Sequence, residues 1–242
     1  MPVSAIVRRV GSHVRSRGVV PVVTSSASWG ARWAAGRPLA GRPSPATFQF
    51  DGTSHRYLRH AYNWTWLNER AVEVPLAASV LAGSEGRRVL EVGNVLGHYQ
   101  PVTHTVVDKY EQAPGVLNAD VAELELPGPY DLILAVSTLE HVGLDEEVQD
   151  PDKPARAIER LRSLLAPGGR LWCTFPVSYN QALDRRLQDG GLGFTRLTAL
   201  RRLGPSNRWE QAPVDEVWGT RYDWLLYTAH AVVVAEFVRP AL

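Results

Sequence analysis

The chain has little of several things. Its 242 residues include one cysteine, one methionine and only two lysines, Lys109 and Lys153. A lone cysteine excludes an internal disulfide framework and fits a reducing, cytoplasmic compartment. Cys173 sits in an apolar run and reads as a buried strand residue. No apolar run approaches the roughly 20 residues needed to cross a bilayer, so no transmembrane segment is expected. Val19-Val20-Pro21-Val22-Val23 is too short, and too interrupted by proline, for a secretory signal. No internal repeat is visible, and no nucleic-acid-binding motif or recurring basic patch, so a nucleic-acid partner is not expected.

No acid occurs before Asp51 either. Residues 1–50 carry seven arginines and the remainder is net acidic. The first 46 residues are rich in Gly, Pro, Ser and Arg. They read as a basic, partly disordered arm, either solvated or wrapped on a second copy of the chain in a homodimer. The Arg, Ala and Val bias fits a GC-rich genome such as an actinobacterium's. At this length the rest is one domain with decorations. Residues 47–85 form an aromatic lid leading into a helix, and residues 86–242 form the main domain.

What is present starts at Arg88. An apolar run, Val89-Leu90-Glu91-Val92, turns on Gly93 and Gly97. A second, Thr103–Val107, ends at Asp108, and Ala119-Asp120-Val121 follows. Tyr130–Val136 is nearly unbroken and apolar, as in a central parallel strand buried on both faces. Pro154–Leu165 is helical, with Ile158, Leu161 and Leu165 on one stripe. Ala166-Pro167-Gly168-Gly169 stops it, and Arg170–Pro176 is a further strand. Phe194–Leu203 and His230–Val238 read as an antiparallel edge pair around the loop Trp209–Trp224. Glycines at a strand-to-helix turn let a ligand approach the backbone, and a carboxylate after the next strand accepts ribose hydroxyls.

In order and spacing these pieces resemble the class I S-adenosylmethionine (SAM)-dependent methyltransferases, together with Tyr130-Asp131-Leu132-Ile133 and Leu165–Leu171. The resemblance covers about Arg88 to Pro176. It implies an α/β, Rossmann-like fold: a seven-stranded, mostly parallel sheet with an antiparallel last strand, and helices on both faces. It implies SAM as cofactor, with Glu91 and Gly93 near its methionine part. Asp108 would hold the ribose, Asp120 and Val121 would flank the adenine, and Ser137 would close the pocket. Val95 stands where the family usually has a further glycine, so the turn is expected to be wider, with Asn94 adding a polar contact.

Methyl transfer needs an aligned nucleophile, excluded water and one proton managed. His141 follows the fourth core strand and suits the role of general base, with Glu140 orienting it. Both also read as ordinary helix-start residues. The acidic run from Asp145 offers a Mg²⁺ site, with Glu140, His141 or Asp145 as ligands, or a solvated face. Polar residues interleave the aromatics of the lid. Arg70 is accordingly placed with the cofactor, and Tyr62 and Trp66 with the acceptor, as a lid or as core. Tyr179, Asn180 and Tyr222, with Arg221 and His230, are placed on the acceptor side. Aromatic and amide groups together suit a sugar. The aromatic lid, the Glu140-His141 pair and the composition together resemble bacterial sugar O-methyltransferases of polysaccharide or glycolipid pathways; that resemblance implies O-methylation of a small molecule, a sugar or glycan, with a mannoside as the narrower candidate. The alternatives are an N- or C-methyltransferase and a non-catalytic scaffold of the same fold.

Overall fold

The computed structural model describes residue 15 and residues 18–241. Helix α1 is Val19–Gly36. A hairpin of β1 (Thr47–Phe50) and β2 (Thr53–Arg56) precedes helix α2 (Arg70–Ala82). Strands β3 (Val89–Val92), β4 (Thr105–Val107), β5 (Val116–Leu117) and β6 (Tyr130–Val136) follow. Helix α3 (Lys153–Ser163), β7 (Leu165–Pro176) and helix α4 (Gln181–Gln188) come next. The chain ends in β8 (Arg196–Leu203), β9 (Arg208–Ala212), β10 (Tyr222–Asp223), β11 (Thr228–Ala229) and β12 (Ala231–Val238).

The main sheet has the order β5-β4-β3-β6-β7-β12-β8-β9. Strands β5, β4, β3, β6 and β7 are parallel, and β12 lies antiparallel between β7 and β8. The expected α/β, Rossmann-like architecture is present. The sheet is wider than seven strands because Arg208–Ala212, all but its first residue expected within the loop Trp209–Trp224, pairs antiparallel with β8 and takes the edge. Burial on both faces holds that pairing: Trp209 joins one core cluster and Ala212 another, while Arg208 and Gln211 are exposed. Strand β7 also starts early. Leu165 already pairs with Tyr130, and the register slips before Leu132 meets Arg170, so the Pro-Gly-Gly stretch is a bulge in a strand.

Strand β6 shows how burial on both faces works. Leu132, Leu134 and Val136 pack with Val72, Leu76 and Trp172 under α2. Ile133 and Ala135 pack with Ile158, Leu161 and Leu183 under α3 and α4. Cys173 is fully buried on the second face, and burial pushes its thiol pKa up, as an inert core residue requires.

Helix α2 contains Pro75, which cannot donate to the Ala71 carbonyl four residues back. Leu58 N–H donates to that carbonyl instead, at 3.0 Å. The proline therefore ties the start of the lid to the helix that follows it. Upstream, most of the arm before Gly18 lies outside the described residues, but Val19–Gly36 is helical where disorder was expected. Its Trp29 packs edge-on against Trp64 at 5.5 Å, and its Gly36 leaves room for the Trp66 ring. Among the described residues, no helix is long and apolar enough to cross a membrane.

Candidate active site

Strand order reverses between β3 and β6, because β4 lies on one side of β3 and β6 on the other. Such switch points open a crevice at the carboxyl ends of the strands. Here the crevice is a cleft of ≈ 280 Å³. The turns after β3, β4, β5 and β6 line it, and Tyr62, Asn63 and Arg70 of the lid close it.

Gly93 ends β3 at φ 83°. A Cβ there would run into the Thr138 side chain, 2.8 Å from its Cγ2 and nearer still to its Oγ1. Glycine is required because two turns touch at this point. Glu91 does not reach the cleft. It is fully buried, and its Oε1 accepts N–H groups from Val95 (3.0 Å) and Leu96 (2.7 Å). Its Oε2 lies 2.7 Å from His104 Nε2. The acid shapes the turn, which is how the turn holds without the further glycine at Val95.

Asp108 lines the cleft. Its Oδ1 accepts N–H groups from Tyr110 (2.9 Å) and Glu111 (2.8 Å), while Oδ2 accepts one longer bond, from Asn94 N at 3.2 Å. Oδ2 thus keeps acceptor capacity toward the cleft. The sequence reading missed Glu111, which stands on the same turn. It accepts from Asn94 Nδ2 at 2.6 Å and lies 3.0 Å from His98 Nε2. Its spacing of three from Asp108 was the available signal.

Asp120 and Val121 line the far end. Asp120 caps a short turn through Ala122 N, and its Oδ2 accepts from Lys109 (2.8 Å) and Lys153 (2.6 Å). Both lysines also reach Glu146, at 3.0 and 2.6 Å. The chain's two lysines therefore form one four-charge cluster at the cleft's rim, where a compact ammonium serves two carboxylates better than a planar guanidinium. Burial works to raise the Asp120 pKa, but the two ammonium hydrogen bonds outweigh it and hold it at about 2. A depressed acid stabilises the fold above its ordinary pKa and loses that contribution as pH falls from about 4 toward 2. The urea midpoint gap between wild type and Asp120→Asn should therefore shrink from pH 5 to pH 2; a constant gap would remove this role.

The lid supplies Arg70 and Glu73, an ion pair at 3.1 Å under β6. Arg70 donates to the carbonyls of Val136 (3.1 Å) and Ser137 (3.4 Å) and still lines the cleft. Glu73, which the sequence reading missed, is fully buried and accepts the Ser137 hydroxyl. Ser137 has φ 41°, a left-handed conformation that places the β6 turn beside that of β3. Tyr62 lines the cleft, stacked on His98 at 4.0 Å. Trp66 does not line it: its Nε1 donates to Arg32 O at 3.3 Å and anchors α1.

The two residues expected to handle the acceptor's proton follow β6. Glu140 is 1% exposed and is not among the residues that line the cleft, and neither carboxylate oxygen has a hydrogen-bond partner among the described residues. Burial raises its pKa to about 7. His141 lines the cleft; its Nε2 stands 3.7 Å from Glu140 and its Nδ1 2.5 Å from Asp145. Burial alone would lower the His141 pKa, but Asp145 and Glu140 raise it above its ordinary value. The Tyr179 hydroxyl donates to Asp145 at 2.6 Å and lies 2.9 Å from Nδ1. Asp145 is thus placed to orient the imidazole. Among the described residues, no group of three or more His, Cys, Asp or Glu is placed to hold a metal ion.

Two acceptor-side expectations also change. Asn180 caps α4 through Leu183 N (3.1 Å) and donates to the Glu140 carbonyl (2.9 Å), so it is structural. Tyr222 is buried edge-on behind Tyr179, at 5.0 Å, in a second layer. Arg221 and His230 line a different cavity.

No protein-family model matches the chain, and no curated protein does. Among solved structures, it is similar to NodS of Bradyrhizobium japonicum WM9, an N-methyltransferase in complex with S-adenosylhomocysteine. The identity is 16%, with 71% of this chain and 87% of that one covered, at a TM-score of 0.43. A Thermotoga maritima methyltransferase, titled a possible histamine N-methyltransferase, shares 18% identity; 66% and 86% of the chains are covered at a TM-score of 0.41. The magnesium protoporphyrin IX methyltransferase of Synechocystis PCC 6803 shares 18% identity, with 68% and 76% covered at 0.35. These structures are SAM-dependent methyltransferases.

Proposed function

We propose that the chain is a SAM-dependent methyltransferase acting on a hydroxyl of a small molecule, a sugar or glycan. The observation that carries this reading is the switch-point cleft itself. A glycine that admits no Cβ, a carboxylate with a spare acceptor atom and the Asp120–Val121 turn succeed one another along it. They end at a histidine beside an unpartnered buried carboxylate.

SAM would supply a methyl group already activated on a sulfonium. Asp108 accepts the ribose hydroxyls, and the lid excludes water. Arg70 lines the wall beside Ser137. His141, held by Asp145, takes the acceptor's proton at Nε2, and Glu140 stabilises the imidazolium that forms.

Calorimetric titration with S-adenosylhomocysteine tests the reading. Wild type should bind, and Asp108→Ala should bind roughly ten- to a hundredfold more weakly, the range for losing a charge-assisted hydrogen bond. Affinity within about twofold of wild type would remove Asp108 from the site, and no binding by wild type would favour a scaffold. An amine acceptor is the second reading, favoured by the two carboxylates that flank His141, Asp145 at 2.5 Å and Glu140 at 3.7 Å. Methyl-transfer assays with polyol and amine panels separate the two.

A further inference from the structure

A second cavity, of ≈ 400 Å³, lies between α1, the turn after β8 and the β10–β11 hairpin. It shares no residue with the cleft. Arg32, Arg202, Arg221 and His230 line it, with the hydroxyl-bearing Ser25 and Ser28. These residues come from three distant parts of the sequence, so folding assembles the cluster.

Its charge is unbalanced. One carboxylate, Asp223, faces three guanidinium groups. Asp223 Oδ1 is committed to the N–H groups of Leu225 and Leu226, at 3.1 and 3.2 Å, and Oδ2 lies 3.8 Å from Arg221. Arg202 donates to the Leu67 carbonyl at 2.9 Å, but its buried Nε has no partner among the described residues. Burial lowers the Arg202 pKa to about 10, with Glu69 and Asp223 opposing and Arg32 adding to the fall. Glu69 is a weak counter-charge: it is buried, and burial and Glu73 raise its own pKa. A buried donor without a partner and an excess of positive over negative charge in a confined space both cost stability. A tetrahedral oxyanion would satisfy both, because guanidinium forks match its oxygens and serine hydroxyls complete the shell.

We propose that this second cavity binds the phosphoryl group of a small molecule. The cavity has room beyond a bare ion, so the remainder of such a molecule fits beside the phosphoryl group. Alternate residues of β10 look to opposite sides: Tyr222 packs on Tyr179 beside His141, and Asp223 lines the second cavity. The site therefore backs onto the acceptor side of the cleft.

Inorganic phosphate is the probe. Titrated into the full chain at constant ionic strength, it should bind saturably, with S-adenosylhomocysteine present or absent. Arg202→Gln and the surface variant Arg221→Ala should each weaken binding by about tenfold or more. Arg221 is more than half exposed, so its variant keeps the test valid if Arg202→Gln fails to fold. Three results would each overturn the proposal: a response that chloride reproduces, competition by S-adenosylhomocysteine, or wild-type phosphate affinity in Arg221→Ala together with any folded Arg202→Gln.

Discussion

His141→Ala should lower kcat by about 10²–10⁴-fold while leaving S-adenosylhomocysteine affinity nearly intact, because a positioned base contributes that much to a proton transfer. The pH profile adds a signature that a packing role would lack. Activity needs His141 unprotonated, so kcat/KM should rise with pH through a limb above the ordinary histidine value of about 6.5. The Glu140 carboxylate helps to hold that limb high. Glu140→Gln removes its charge, so the limb should move to lower pH even if the rate also falls. A His141→Ala enzyme with wild-type kcat at saturating acceptor would end this assignment and turn attention to Tyr179. An unmoved limb in Glu140→Gln would show that the two groups do not share a proton economy.

Gly93→Val should abolish cofactor binding. The residue sits at φ 83°, where an L side chain costs roughly 1–2 kcal/mol, and more when β-branched. Its side chain would also displace Thr138 from the neighbouring turn. The milder Gly93→Ala separates the two effects. If the clash dominates, Thr138→Ala in the same background should restore much of the S-adenosylhomocysteine affinity; if backbone strain dominates, it should not. Binding by Gly93→Val within about twofold of wild type would mean that the cleft does not use this turn.

The core of the fold was legible because its signals are local. Unbroken apolar runs marked β6 and β12, and a carboxylate and a glycine in fixed positions marked the ends of β3 and β4. The edge strand β9 was not legible, since Arg208–Ala212 is five residues long, its burial does not alternate, and it follows a Gly-Pro turn. Site residues divided in the same way. Asp108, Asp120, Ser137, Arg70, Tyr62 and His141 line one cleft, as their positions after successive strands suggested. Glu91, Trp66 and Asn180 were misplaced because sequence shows a polar group but not its partner. Each is committed to backbone groups that only folding brings near. Glu73 was hidden for the opposite reason: a carboxylate inside a helical repeat reads as surface, and only the arrival of Ser137 from β6 makes its burial tolerable.

The concentration of both lysines at one rim has a practical side. Both lysines of this chain stand together, Lys109 on the wall of the cleft and Lys153 beside it on the same carboxylates, and Lys109 is the more open of the two, at 34% against 12%. Amine-directed reagents, so often a source of heterogeneous products, would here modify a single neighbourhood. A fluorophore coupled at Lys109 would sit where an entering ligand passes, and coupling to an amine-reactive support through that residue would seat the molecule mouth-down.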